Sequence, residues 1–450
     1  VSDNLTKRPW LLAFLWLCFL APLFFISYNF ANSWAASQPH VGQLVFDWER
    51  HIPFLPWTIL PYWSIDLLYG LSLFVCATKQ QLHRLGKMLL TTQVIAVACF
   101  IAFPLHFSVE RPPTSGLFGD LFVALTNFDL PYNQAPSLHI ALLVILWLHF
   151  PRYLGTLLRW PFHVLCSLIL ISVLTTYQHH FIDVPTGALL GFFSVWLWPK
   201  DGRSMLLSGV KFTANNKETR QRLCGYYGVG ALCFAGIALL VKGWALWLLW
   251  PSVSLLLVSW NYGFVGQRGF EKSDHGAISV AVKWLLWPYL IAAFVNSRLF
   301  TRKINRADCV VEGLWLGRFP QHQDLSDNGY VTVIDMTAEF SAPALPPSVT
   351  WHSIPNLDLL TPSLDNLRDA ASLIENSRDN GDILVVCALG YSRSSCAVIA
   401  WLLLYNHSAS VEEAVALVAK ARPSIVLKEG AIKTLHKLHQ CSVNRENANG

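Results

Sequence analysis

Long apolar runs recur across the first 300 positions of this chain, and no other feature limits so tightly what it can fold into. They lie at about 10–29, 55–77, 89–106, 138–154, 161–178, 184–198, 224–241 and 244–261. Because roughly 20 apolar residues cross a bilayer's hydrocarbon core, each run is read as a membrane-crossing helix. The 450 residues are 53% hydrophobic and only 14% charged, yet the stretch after residue 304 has an ordinary soluble composition. The expected organisation is therefore polytopic α-helical membrane segments over 1–86, 87–198 and 199–304, followed by a soluble α/β domain over 305–450. This pattern excludes a single soluble enzyme, a disordered scaffold and a disulfide-stapled secreted module.

The net charge of +5 is small for this length, and the basic residues sit in short loops between apolar runs, a pattern of topology rather than of nucleic-acid binding. One alternate set of loops holds Lys7, Arg8, Lys79, Arg84, Lys87, Arg152, Arg159, Lys200, Arg203, Lys211, Lys217, Arg220 and Arg222; the other holds Arg50, Arg111 and Lys242. The positive-inside rule then places the N terminus and everything after the eighth run in the cytoplasm. A shorter stretch, Trp284 to Val295, is interrupted by Pro288 and flanked by basic residues on both sides, so it is expected at the membrane interface rather than across it. Lys7 and Arg8 precede the first run and no small-residue cleavage site follows convincingly, which reads as an uncleaved span. None of the ten cysteines forms a CxxC pair, so they are expected to be reduced core residues.

Three pieces of chemistry stand near the ends of apolar runs on the outer side of this topology: Glu110-Arg111-Pro112, Pro136-Ser137-Leu138-His139, and His179-His180-Phe181-Ile182-Asp183. At i, i+4 spacing a carboxylate can orient an imidazole, a second histidine can supply a proton, and an arginine can fork onto phosphate oxygens. Singly, each of these residues would more often cap a helix or snorkel; their coincidence at one face points to phosphoryl transfer. In this order and at these positions they resemble the type-2 phosphatidic acid phosphatase superfamily, and more closely its phosphotransferase branch that includes inositol phosphorylceramide synthases. The resemblance covers residues 87–198. It implies a nucleophilic His179, an orienting Asp183, His139 as general acid, and phosphate binding by Arg111 and Ser137. Pro104 and Val173 stand where the superfamily has a lysine and an arginine, losses that the phosphotransferase branch tolerates better. His180 is the alternative nucleophile, but its i+4 residue is Val184.

The soluble part carries a second constellation. Leu314–Leu316, Val331–Asp335 and Ile383–Val386 read as strands; Leu364–Ser377, Cys396–Tyr405, Val411–Ala421 and Ala431–His439 read as helices. Between a strand and a helix lies Cys387-Ala388-Leu389-Gly390-Tyr391-Ser392-Arg393-Ser394. Successive loop amides and a helix N-terminus form an anion cradle that favours the thiolate, and Arg393 can return over the loop to grip phosphate. These residues resemble the dual-specificity class of cysteine phosphatases. The resemblance implies a Cys387 nucleophile, a phosphate loop formed by Ala388, Leu389, Gly390, Tyr391, Ser392 and Arg393, a general acid at Asp358, and Ser394 assisting thiolate departure. The stretch Trp351–Leu367 is similar to that of the mitochondrial phosphatidylglycerophosphate phosphatase branch. Val386 replaces a histidine common before the nucleophile, and the uncharged Ala388, Leu389 and Tyr391 argue against a polyphosphoinositide substrate.

The expected protein is a bacterial inner-membrane phosphatase of phospholipid metabolism that hydrolyses phosphomonoesters through Cys387, with a second, histidine-based lipid site on the outer face. Its substrate is a membrane lipid phosphate; the alternative is a membrane-anchored protein phosphatase acting on phosphotyrosine, phosphoserine or phosphothreonine. A third reading, a pair of phosphate-binding pockets without turnover, follows from Pro104, Val173 and Val386. No cofactor or metal is implied, since His139, His179 and His180 lack the further ligands that zinc would need. The glycine-rich stretch Tyr262–His275 reads as a flexible loop.

Overall fold

The structure, a computed structural model, describes residues 8–127, 129–206 and 216–449, with side chains through 441, so Lys7 and Lys211 lie outside the described residues. The chain divides into two compact units, one formed by Val1–Leu207 with Val241–Leu246 and the other by Ser208–Leu240 with Trp247–Gly450.

The first unit is helical: α1 (Trp10–Ala36), α2 (Ile59–Phe74), α3 (Lys79–Ala102), α4 (Gly116–Thr126), α5 (Leu138–His149), α6 (Thr156–Thr175) and α7 (Asp183–Leu197). Side chains such as Leu20, Ile65, Leu85, Leu146 and Ile169 form its interior, while Leu11, Phe14, Ile26, Leu157 and Trp160 are exposed. Exposed apolar surface of this extent marks a face that meets a partner or a membrane. Among the described residues of both units, five helical stretches are long and apolar enough to cross a membrane: Trp10–Ala36, Lys79–Ala102, Thr156–Thr175, Lys217–Val241 and Gly243–Phe270. Of the other runs singled out in the sequence, three form shorter helices of 16, 12 and 15 residues, α2, α5 and α7. The last two pack closely, because a Cβ at Gly187 would lie 2.4 Å from the Ser137 carbonyl oxygen and one at Gly191 would lie 2.7 Å from that of Ala141.

In the second unit α8 (Lys217–Val241) and α9 (Leu249–Trp260) run side by side. Small residues allow this approach: the Ser259 hydroxyl donates to the Cys224 carbonyl at 2.7 Å and the Ser252 hydroxyl to the Ala231 carbonyl at 2.8 Å. Beyond α9 the stretch expected to be a flexible loop is packed instead. The Lys272 side chain is fully buried, donating to the Asp335 carboxylate and, at 2.7 Å, to the Thr337 carbonyl, and a Cβ at Gly269 would overlap the Asn261 side chain. Glycine in this stretch serves close contact rather than mobility, which composition alone does not distinguish. Helices α10 (Val280–Leu285) and α11 (Trp287–Thr301) follow, with Pro288 at the start of α11 where its missing N–H is harmless.

The remainder is an α/β layer of strands β1 (Ala307–Val311), β2 (Leu314–Arg318), β3 (Thr332–Thr337), β4 (Thr350–Asn356) and β5 (Ile383–Cys387), in the order β1-β2-β5-β3-β4. Only the β1–β2 pair is antiparallel. Central β5 is buried along its whole length, as its unbroken apolar sequence requires. Helices α12 (His322–Asp327), α13 (Leu364–Ser377), α14 (Arg393–Leu404), α15 (Val411–Ala421) and α16 (Glu429–Asn449) complete it. Helix α13 has the predicted bounds, capped by the Ser363 hydroxyl, which accepts from the Asn366 amide.

The close approach of α5 and α7 leads to a stability prediction. Gly187→Val should lower the thermal unfolding midpoint of the detergent-solubilised chain, at a cost of about 1–3 kcal/mol for overpacking. Gly70→Ala, within α2 with open space where the Cβ would stand, should leave the midpoint unchanged or raise it.

Candidate active site

Cys387 closes β5, so the sheet delivers its sulfur at the carboxyl end of the central strand, where open α/β sheets leave room for ligands. The chain then turns through 388–392 into α14. Gly390 has a φ of 74°, in the left-handed region, and a Cβ there would lie 2.6 Å from the main-chain carbon of Gly317 on β2. The carbonyls of residues 388–391 are each held from outside the loop. The Ser297 hydroxyl on α11 donates to Ala388 at 2.6 Å, while Arg422 donates through a terminal nitrogen to Leu389 at 3.3 Å and through Nε to Gly390 at 2.9 Å. Tyr391 accepts from the Val426 amide at 2.9 Å. These carbonyls are drawn outward while the Ser392 and Ser394 amides point at the Cys387 sulfur, an arrangement of N–H groups suited to an anion. Arg422 can do this while almost wholly buried because Asp308 balances its charge at 2.6 Å.

Arg393 is buried as well. Its two terminal nitrogens donate to both Glu339 oxygens, at 2.9 and 2.7 Å, in a fork, and also to the Asn356 carbonyl at 2.9 Å and the Asp358 carboxylate at 2.8 Å. The Ser394 hydroxyl donates to Cys387 Sγ at 3.1 Å. Burial alone would push the Cys387 thiol up; Arg393, the Ser394 hydroxyl and the Ser392 and Ser394 amides outweigh it and hold the thiol below its ordinary value. Asp358 moves the other way: burial and the Glu339 carboxylate raise it above the usual carboxylate range despite Arg393. A thiol held low and a carboxyl group held high in one pocket are the shifts that a nucleophile and an acid need. Cys387, Ser392, Arg393 and Asp358 line one pocket together with Leu359, Leu360, Thr361, Leu389, Tyr391, Val426, Lys428 and Ala431.

The sequence-predicted residues of this site therefore meet in space. Glu339, the partner that fixes Arg393, was not foreseen, because an acidic residue two positions after a strand carries no signal until the arginine opposite it is known. Ser297 and Arg422 as clamps on the loop carbonyls are equally non-local.

In the helical unit His139 and His179 line a second pocket. The His179 Nδ1–Asp183 Oδ2 contact of 3.1 Å is formed across a turn, not along a helix, since α7 begins only at Asp183, whose carboxylate also accepts from the His180 amide at 3.0 Å. His180 lies between Glu49 Oε2, at 3.0 Å, and Ser108. His139 stacks on the Tyr62 ring and donates through Nε2 to the Tyr62 carbonyl at 2.9 Å. Arg111 donates to the carbonyls of Thr176 and Tyr177, and the Ser137 hydroxyl accepts from the Ile140 amide as the cap of α5. The carboxylates of Asp66 and Asp129, absent from the sequence expectation, line this pocket.

Residues 314–441 match the family described as "Dual specificity phosphatase, catalytic domain". An invertebrate iridescent virus 6 protein named "Putative tyrosine phosphatase 123R" is 30% identical over 127 residues, which are 28% of this chain and 87% of that protein. Among solved structures, human DUSP28 is 23% identical, covering 31% of this chain and 95% of its own with a TM-score of 0.29. PTPMT1 in complex with PI(5)P is 21% identical, covering 32% and 99% with a TM-score of 0.29.

The loop electrostatics predict the reactivity of the thiols. Alkylation of Cys387 by iodoacetamide, followed by mass spectrometry across pH, should show a midpoint below the ordinary thiol value of about 8.5. Cys396, pushed up to about 12 by burial and the nearby Cys387, should stay unmodified in the folded chain.

Proposed function

Because the chain belongs, through residues 314–441, to the dual-specificity phosphatase family, we propose that it is a membrane-embedded phosphomonoester hydrolase acting on a lipid phosphate. In this reading the Cys387 thiolate attacks phosphorus while Arg393 and the loop amides of 388–392 hold the phosphate oxygens. The P–O ester bond breaks as the P–S bond forms, and Asp358 gives its proton to the departing alkoxide. Water then attacks the thiophosphate, passing a proton to the Asp358 carboxylate, and the Ser394 hydroxyl stabilises the thiolate as it leaves.

The observation that carries the chemistry is the pairing of a depressed Cys387 thiol with a raised Asp358 in one pocket. The lipid part rests on the pocket wall, where Leu359, Leu360, Leu389 and Val426 outnumber the one lysine, Lys428, and on the apolar helices α8 and α9 in the same unit. The viral relative's name favours a second reading, a membrane-anchored phosphatase of phosphotyrosine proteins. Strong turnover of a phosphotyrosine peptide in detergent, with none on phosphatidylglycerophosphate, would decide for it.

A second site on the outer face belongs to the same proposal, with His179 as nucleophile, Asp183 orienting it, His139 as acid, and Arg111 and Ser137 binding phosphate. Its support is the shared pocket of His139 and His179 and the His179–Asp183 contact. In this arrangement the inner membrane holds the helical unit and the phosphatase domain faces the cytoplasm.

Two outcomes test this reading. Cys387→Ser should abolish phosphate release from p-nitrophenyl phosphate and from phosphatidylglycerophosphate, whereas His179→Ala should spare it; equal loss in both folded variants would remove the two-site idea. The pH dependence of kcat/KM should be bell-shaped. Activity rises as Cys387 ionises, below the ordinary thiol value, and falls as Asp358 loses its proton, above the ordinary carboxylate value. Asp358→Asn should remove the falling limb.

A further inference from the structure

The acid-bearing loop is held in a conformation that its own sequence does not favour. Leu359, next to Asp358, has a φ of 61°, in the left-handed region that a branched side chain avoids. Such a residue persists only where the surroundings over-determine it. Three side chains do so here. The Lys428 ammonium donates to the Leu359 carbonyl at 3.2 Å. The Tyr262 hydroxyl donates to the Asp358 carbonyl at 3.0 Å. The Asn216 amide engages Thr361 twice, donating to its carbonyl at 2.9 Å and accepting from its N–H at 3.0 Å.

Two of the three clamps come from outside the matched residues 314–441. Asn216 immediately precedes α8 and Tyr262 lies two residues beyond α9, so they mark the same end of the apolar helix pair. That end is itself tied together, since Arg220 on α8 donates to the carbonyls of Tyr262 and Gly263 at 3.3 and 2.6 Å. Both clamps are buried, Tyr262 at 1% and Asn216 at 7% exposure, so water does not readily replace them. We propose that Asn216 and Tyr262 are positioning residues for Asp358, making the α8–α9 pair part of the device that places the acid over the leaving oxygen. This rests on the reading of Asp358 as the general acid.

An acid matters most when the leaving group is poor, and the test uses that dependence. The full chain in detergent is assayed with p-nitrophenyl phosphate, whose leaving group needs little protonation, and with phenyl phosphate, whose leaving group needs more. Tyr262→Phe and Asn216→Ala should each lower kcat on phenyl phosphate about fivefold, and on p-nitrophenyl phosphate by less than about twofold. Asp358→Asn, measured alongside, should show the same selectivity at about 100-fold. A uniform fall on both esters, or no fall on either, in the two positioning variants while Asp358→Asn is selective would overturn the positioning role alone. Absence of selectivity in Asp358→Asn would overturn both the acid assignment and the positioning built on it.

Discussion

A guanidinium taken out of water must be surrounded by opposite charge and by acceptors, and most of the phosphatase domain is arranged around that requirement at Arg393. Glu339, beyond the end of β3, meets both terminal nitrogens; Asn356 and Asp358, at and after the end of β4, take further N–H groups; Cys387, at the end of β5, supplies sulfur. Three adjacent parallel strands thus end on one cation. Their register is constrained by it as well as by apolar packing, because displacing a strand would leave a buried charge without its partner. The same arrangement sets the electrostatics of the pocket: the charge that needs anions for structural reasons is the charge that lowers the thiol, and the Glu339 carboxylate that satisfies it helps raise Asp358.

The elements that could be read from sequence are those whose signal is local. Helices α13 and α15 have the expected bounds because an amphipathic stripe and a serine cap lie within each segment. The Cys387 loop could be read because strand, glycine turn and helix start fall within a few residues of one another. Strand β1, strand β4 and the short α12 leave little trace in the sequence, since a five-residue edge strand or one ending in proline and asparagine carries little periodicity. Glu339, Arg422, Ser297 and Lys272 belong to a different category. Each is defined by a partner distant in the chain, and no reading of spacing supplies the pairing.

The helical unit illustrates the same limit from the other side. His139 and His179 share a pocket, yet Glu49 holding His180 and the carboxylates of Asp66 and Asp129 in that pocket come from segments that carry no motif. What a motif identifies is a candidate group. The polar company that decides how the group behaves is assembled by helix packing, and close helix packing here depends on glycines such as Gly187, whose importance lies in what stands opposite them.

The meeting of Gly390 with Gly317 has a consequence for how this chain can change over generations. A side chain at Gly390 would strike the Gly317 main chain, and one at Gly317 would lie 2.7 Å from the Arg306 carbonyl oxygen. A clash between two side chains can be relieved by shrinking either partner, so such positions drift in pairs. Here the obstacle is backbone that every amino acid carries, and no second substitution can remove it. The two glycines are therefore positions where sequence drift has no compensating route, and they bind the anion loop to β2 more permanently than any pair of packed side chains could.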